Sequence, residues 1–265
     1  MTNFRPISSQ EFPPVVKNLI IINAIVFLFS LVAPRLGIDL DALLALHYWA
    51  SPLFRWWQVF THLFMHANFT HILFNMYGLW MFGRILENLW GGQRFLIFYL
   101  VCGLGAAFCH LGVLTIEYTS YHNAFQQLQA NPTFPEVMHF IRKFHIDLTP
   151  EGVNQLQADP SAIIPALHDR YMSMINEATV GASGAIFGLL FAFGYLFPNT
   201  ELFIIFIPVP IKAKWLIGGY ALIELGQGVY NSAGDNIAHF AHLGGMLFAF
   251  ILLRIWKSRR RNDFY

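Results

Sequence analysis

The chain reads as an all-α membrane protein: a six-transmembrane-helix bundle with an outward-facing helical insert between spans 3 and 4. Three observations predict this. Of 265 residues, 56% are hydrophobic and only 12% charged, where a soluble domain carries about 25% charge. The mean hydropathy is +0.49, and apolar windows recur along the chain as they do when lipid is the solvent. One stretch, 117–178, breaks the pattern and holds seven of the fifteen acidic residues. The same numbers exclude disorder, a coiled coil and a disulfide scaffold, and a net charge of +1 excludes a nucleic-acid binder.

The elements follow in order. The first sixteen residues are polar and contain Pro6, Pro13 and Pro14. No small-residue cleavage site follows the first apolar run, so no removable leader is expected. Apolar windows predict spans at about Asn18–Ala33, Phe69–Leu86, Phe95–Ile116, Ala182–Phe197, Trp215–Tyr230 and Ile237–Trp256. Several fall short of the ~20 residues that a bilayer usually needs, which implies a thinned bilayer or helices that start inside a protein-lined cavity. With both termini on one side, the other side keeps Arg35, Arg55, Arg142, Lys143 and Arg170, leaving eleven of the sixteen Lys and Arg with the termini. That bias makes the termini cytoplasmic; the membrane expected is a bacterial cytoplasmic (inner) one. Cys102 and Cys109 lie seven apart on one face of the third span and read as inert small hydrophobes.

Residues 1–116 and 179–265 are thus expected to form the membrane core, and 117–178 an extracytoplasmic insert. The insert has five prolines (Pro132, Pro135, Pro150, Pro160, Pro165) and amphipathic helical patterns. Its run Gln127-Leu-Gln-Ala-Asn-Pro132 nearly recurs as Gln155-Leu-Gln-Ala-Asp-Pro160, a hint of repeated helical hairpins. It reads as a small cap or partner surface for an unidentified partner, and its histidines (His122, His139, His145, His168) as solvated surface.

Eleven histidines in so apolar a chain need explaining. Ionisable or strongly polar groups inside a span are tolerated only where they face other helices or water, and they mark function by default. His71 and Asn75 sit four apart on the second span and share one face. Ser183 opens the fourth span in Gly181-Ala-Ser-Gly184, and His242 opens the sixth in Ala241-His-Leu-Gly-Gly245. Small residues beside both let the two helices approach closely, until hydroxyl and imidazole come within reach of one another as nucleophile and general base. The helix N-terminus at Ser183 favours a developing oxyanion, with Asn75 and His71 as added donors. No acidic residue reads as placed to orient the imidazole, so a dyad is expected, with Phe187 stacking on the His242 ring in its stead.

These residues resemble the rhomboid family of intramembrane serine proteases. The resemblance rests on Gly181-Ala-Ser-Gly184, on Ala241-His-Leu-Gly-Gly245, and on His62, His66, His71 and Asn75. Gly83-Arg84-Ile-Leu-Glu87 with Gly91 and the segment Arg55-Trp-Trp-Gln58 support it, and it covers roughly 15–116 and 180–256. It implies Ser183 as nucleophile, His242 as base, and His71 and Asn75 at the oxyanion site. It also implies a loop between spans one and two that lies partly in the membrane and braces the fold. The substrates implied are single-pass transmembrane proteins, cut near the outer leaflet without a cofactor. Three departures stand out: Phe187 where the family often has tyrosine, Trp57-Gln58 where it has a Trp-Arg pair, and Ala249 where a glycine is expected. The insert is also longer than the corresponding loop in compact members.

Two other classes compete. A catalytically silent relative would bind membrane helices without cutting them; loss of Ser183 or His242 would mark it, and both are present. A metal transporter or metalloprotease would use His62 and His66 or His239 and His242, whose spacings suit a metal. No carboxylate or thiol reads as completing either pair, so no metal site is expected. His62 and His66 are instead expected to hydrogen-bond the outer loop and His239 the same outer surface, Glu87 to tie helix ends together, Glu224 to be a protonated or hydrogen-bonded packing residue with proton transfer as the alternative, and Asp235 to cap the sixth span.

Overall fold

The structure, a computed structural model, describes residues 12–204, 207–230 and 236–262. Helix α1 (Pro14–Val32) starts with proline at its first position, where a missing N–H costs nothing. Its next two amides, of Val15 and Val16, donate to Oε1 and Oε2 of Glu87 at 2.9 and 2.7 Å. Glu87 therefore ties two helix ends together, the role expected of it.

The connection that follows carries α2 (Leu40–Leu44) and α3 (Gln58–Thr61). Gln58, fully buried, donates to the carbonyls of Ala42 and Leu53 at 3.0 Å and accepts from the Arg55 amide at 3.0 Å. Trp57 donates its indole N–H to Leu43 O at 2.8 Å. A neutral amide so satisfied braces this loop without a charge, which makes the Gln at this position a working alternative to Arg.

Helices α4 (Phe69–Gly78) and α5 (Arg84–Trp90) are joined by a π-helical turn, Leu79–Gly83. After Gly91 comes α6 (Gly92–Ala130), 39 residues long. The expected span ended at Ile116, but the helix does not: Glu117 onward loses hydropathy without losing helix-forming character. The expected boundary between core and insert thus falls inside one continuous helix. Helices α7 (Phe134–Lys143), α8 (Pro150–Ala158) and α9 (Ile164–Ile175) complete the stretch. They close with the end of α6 around Tyr121, Phe125, Leu128, Phe140 and Leu167. Both copies of the Gln-Leu-Gln-Ala run end a helix, at Ala130 and at Ala158.

Helix α10 (Ser183–Leu196) is followed by a feature the sequence reading lacked, an antiparallel hairpin of β1 (Glu201–Ile204) and β2 (Ile207–Lys212), with Glu201 opposite Lys212. Helices α11 (Ala213–Tyr230) and α12 (Asn236–Asn262) complete the chain, and the expected cap Asp235 lies outside the described residues. Among the described residues, three helices are long and apolar enough to cross a membrane: Pro14–Leu36, Gly92–Ala130 and His239–Lys257. Ser183–Leu196 is a shorter apolar helix.

The centre is α6, α10 and α12, packed at backbone distance. A Cβ on Gly245 would run into the Gly184 carbonyl, and one on Gly184 into the Ala106 side chain. One on Gly188 would meet Cys102 at 2.6 Å, and one on Gly244 would meet Cys109 at 2.7 Å. Small residues let these helices close where lipid gives no hydrophobic drive. The two cysteines, two turns apart on one face of α6, fill the space opposite Gly188 and Gly244.

Candidate active site

Close approach of α10 and α12 carries Ser183 and His242 into contact: Ser183 Oγ lies 3.0 Å from His242 Nε2. That is hydrogen-bond distance between a hydroxyl and an imidazole nitrogen. Phe187, one turn after Ser183, stacks on the His242 ring at 4.0 Å between centroids and 12° between planes, as the sequence predicts. The stack fixes the plane of the ring.

Ser183 is the first residue of α10, and the preceding Ala182 offers no side-chain cap. The first amides of the helix therefore have no acceptor within it. Gly181 shapes the approach, because its φ of +127° is one that L side chains rarely adopt. A Cβ there would also stand 2.8 Å from Nε2 of His71 and 3.7 Å from Ser183 Oγ. His71 and Ser183 thus flank one point in space. His71 Nδ1 accepts a weak bond from the Ala67 amide at 3.4 Å, which leaves Nε2 as the protonated, donating nitrogen. Asn75, one turn further along α4, is buried, and its Nδ2 has no partner. A buried amide donor without an acceptor is costly; here it stands on the same helix face as His71. Ser183, His242 and His71 are therefore brought together, and Asn75 follows His71 one turn along the same face of α4.

The other histidines divide. Nδ1 of His62 lies 2.9 Å from the Gln58 carbonyl, and the His62 carbonyl accepts from the Gly181 amide at 2.9 Å, so His62 braces the loop as expected. Burial pushes its pKa from 6.5 down to about 4. His66 does not behave as expected: both its ring nitrogens are buried without partners, and it meets His71 edge to face at 5.1 Å. Burial, with His71 beside it, pushes its pKa down to about 4 as well.

Glu224 departs furthest from its expected role. The sequence reading placed no carboxylate at the imidazole, yet Glu224 Oε2 lies 3.1 Å from His242 Nδ1, off the line of the N–H. The same oxygen lies 2.6 Å from His239 Nδ1, so His239 faces Glu224 and not the outer surface. Glu224 lies eighteen residues before His242 on a different helix, so no sequence spacing links the two; an acid alone in the middle of an apolar run was the available signal. The ligand atoms of Glu224, His239 and His242 all lie within 4.8 Å of one another, so a carboxylate does complete one of the two histidine pairs. The 2.6 and 3.1 Å separations to a single oxygen are those of N–H···O contacts, closer than a tetrahedral ion holds its ligands apart.

Comparison with known proteins points to one family. The family model described as Rhomboid domain matches residues 53–121 and 160–259. An uncharacterized mitochondrial rhomboid protein of Schizosaccharomyces pombe is 28% identical over 225 residues, covering 77% of this chain and 53% of that protein. RHOMBOID-like protein 12, mitochondrial, of Arabidopsis thaliana is 28% identical over 251 residues, covering 93% and 60%. Rhomboid protease GluP of Bacillus subtilis is 37% identical over 49 residues, 18% and 10%. The chain spans about half the length of the first of these relatives. With two matched segments that leave out most of the insert, and three long apolar helices besides, the chain belongs to the rhomboid family and is an integral membrane protein.

Proposed function

We propose that this protein is an intramembrane serine endopeptidase that cuts transmembrane segments near the outer leaflet. Ser183 Oγ attacks the scissile carbonyl while His242 Nε2 takes its proton. The first amides of α10, the Asn75 side-chain amide and His71 Nε2–H meet the oxyanion. His242 then gives the proton to the leaving amine, and water frees the acyl group by the same route. The observation that carries the reading is the 3.0 Å contact between Ser183 and His242 beneath the stacked Phe187. The unpartnered Nδ2 of Asn75 supports it, because a donor left open in the resting site is available to charge that develops in the transition state.

In this reading the bundle has six spans, namely α1, α4–α5, α6, α10, α11 and α12. Both termini face the cytoplasm of a bacterial cell, and 117–178 faces outward. Substrates are single-pass membrane proteins whose helix unwinds locally to present an extended strand, since a closed helix hides its own carbonyls. Helix α11 is the natural gate.

Cleavage of a reconstituted transmembrane substrate by the parent, Ser183→Ala and His242→Ala tests this. The parent cuts, and both variants lose turnover. Residual cleavage by Ser183→Ala removes the nucleophile assignment. Inhibition by a chelator with no labelling by a fluorophosphonate hands the case to a metal at Glu224, His239 and His242. Binding without cutting by the parent makes the protein a silent helix binder.

A further inference from the structure

Glu224 is buried, and the proposed Ser–His chemistry leaves it without a task. A carboxylate removed from water is costly unless paired. Here its close partners are two imidazoles on α12, His239 at 2.6 Å and His242 at 3.1 Å.

Resting on the serine-protease reading above, we propose that Glu224 is a positioning residue that makes the site a Ser183–His242–Glu224 relay, with His239 as the clamp that holds the carboxylate. The tautomer of His242 calls for such a group. To accept the Ser183 proton, His242 must keep Nε2 free, so its single ring proton must sit on Nδ1. The stacked Phe187 fixes the plane of the ring but is blind to which nitrogen carries the proton. An acceptor at Nδ1 is not blind to it, and Glu224 Oε2 stands there.

The proton balance is complete within these groups. The Oγ–H proton moves to His242 Nε2 as Oγ bonds to the carbonyl carbon. The Nδ1 proton stays in place, and the carboxylate stays ionised. When the C–N bond breaks, the Nε2 proton leaves with the amine. Between those steps the ring carries a full positive charge 3.1 Å from a carboxylate oxygen. In the resting site that oxygen favours His239 and lies off the His242 N–H line. The contact therefore strengthens as the imidazolium forms, and an interaction stronger in the transition state than in the ground state is what raises kcat.

The relay joins two helices. Glu224 comes from α11 and both histidines from α12, so the charge reaches His242 only while those helices are docked. Of the titratable groups that face this site, His239 comes from α12 and His71 from α4; Cys109 of α6 packs against Gly244, two residues beyond His242. No Lys or Arg contacts Glu224 among the described residues.

The test uses the full chain in liposomes, with a reporter transmembrane substrate and a fluorophosphonate. Glu224→Gln keeps shape and removes charge. It is expected to lower kcat and the labelling rate by about 10²–10³-fold with KM little changed. The acid limb of its pH–rate profile should move to lower pH, because an imidazole without a neighbouring anion gives up its proton more readily. Glu224→Asp, which keeps the charge, is expected to lose rate but hold the acid limb near the parent's. His239→Gln should cost about tenfold by loosening the carboxylate. If Glu224→Gln fails to fold, the labelling rate of Glu224→Asp decides, and a rate equal to the parent's overturns the relay. The proposal is overturned if Glu224→Gln keeps the parent's labelling rate and acid limb, or if Gln and Asp alter only thermal stability. A parent that labels at Ser183 while Glu224→Gln matches it sinks the relay alone. A parent that neither cuts nor labels sinks the protease reading and the relay together.

Discussion

Two regions of this chain are held together in opposite ways. Around the candidate site, α6, α10 and α12 meet through Gly184, Gly188, Gly244 and Gly245, with backbones too close to admit a methyl group. In the insert, α7–α9 and the end of α6 meet through large rings: Tyr121 packs on Phe140 at 5.1 Å, on Phe144 at 4.8 Å and on Tyr171 at 6.0 Å. Lipid offers no hydrophobic drive between helices, so the core must gain contact by closeness. The insert gains it by burying apolar area. The difference bears on the site, because only backbone-close helices bring a one-carbon serine side chain to an imidazole on a neighbouring helix.

The comparison breaks most completely at Gly245. A side chain there enters the Gly184 carbonyl, so Gly245→Leu is expected to yield no folded protein by circular dichroism and thermal melting. Survival of a folded, active variant would mean that closeness is not what holds this core. Gly181→Val is next. It combines a strained backbone with a clash against His71, and labelling by a fluorophosphonate should fall at least about 100-fold. The strain itself costs about 1–3 kcal/mol, so the fold persists and the loss belongs to the site.

In the insert the expected damage is local. Phe140→Ala empties a ring position in a packed cluster and should cost about 3–5 kcal/mol. Hydrogen exchange should rise across 121–171 while α10 and α12 keep their protection. Exchange that rises equally in the core would show one cooperative unit, joined by α6, which runs unbroken through both regions.

The smallest effect is a pH dependence. His62 is neutral in the fold, with a pKa near 4 against 6.5 unfolded. Above pH 6.5 both states leave it neutral and its contribution is intact. As pH falls from 6.5 toward 4 the unfolded chain takes up a proton that the folded one refuses, so stability declines, by an amount on the order of 3 kcal/mol, and levels off below the folded pKa. Melting temperature against pH should show that decline, reduced in His62→Gln.

Much of this was legible in the sequence because polar residues in an apolar chain are few and costly, so Asn75, Ser183 and His242 announced themselves. Phe187 was legible from helical spacing to Ser183. Glu224 was not, because its partners come from another helix and only the docking of α11 on α12 pairs them. The length of α6 was missed because hydropathy falls at Glu117 while helix propensity continues. The hairpin at 201–212 was missed because its apolar run, with Pro208 and Pro210, reads as a connection. Proline survives there because both strands of a two-stranded sheet are edges.

The position of a fluorophosphonate adduct, mapped by mass spectrometry on the protein in liposomes, tests the nucleophile directly. Phosphonylation of Ser183 is expected, lost in His242→Ala, where no base remains to take the proton. An adduct on another residue, or labelling of Ser183 that survives the loss of His242, would contradict it.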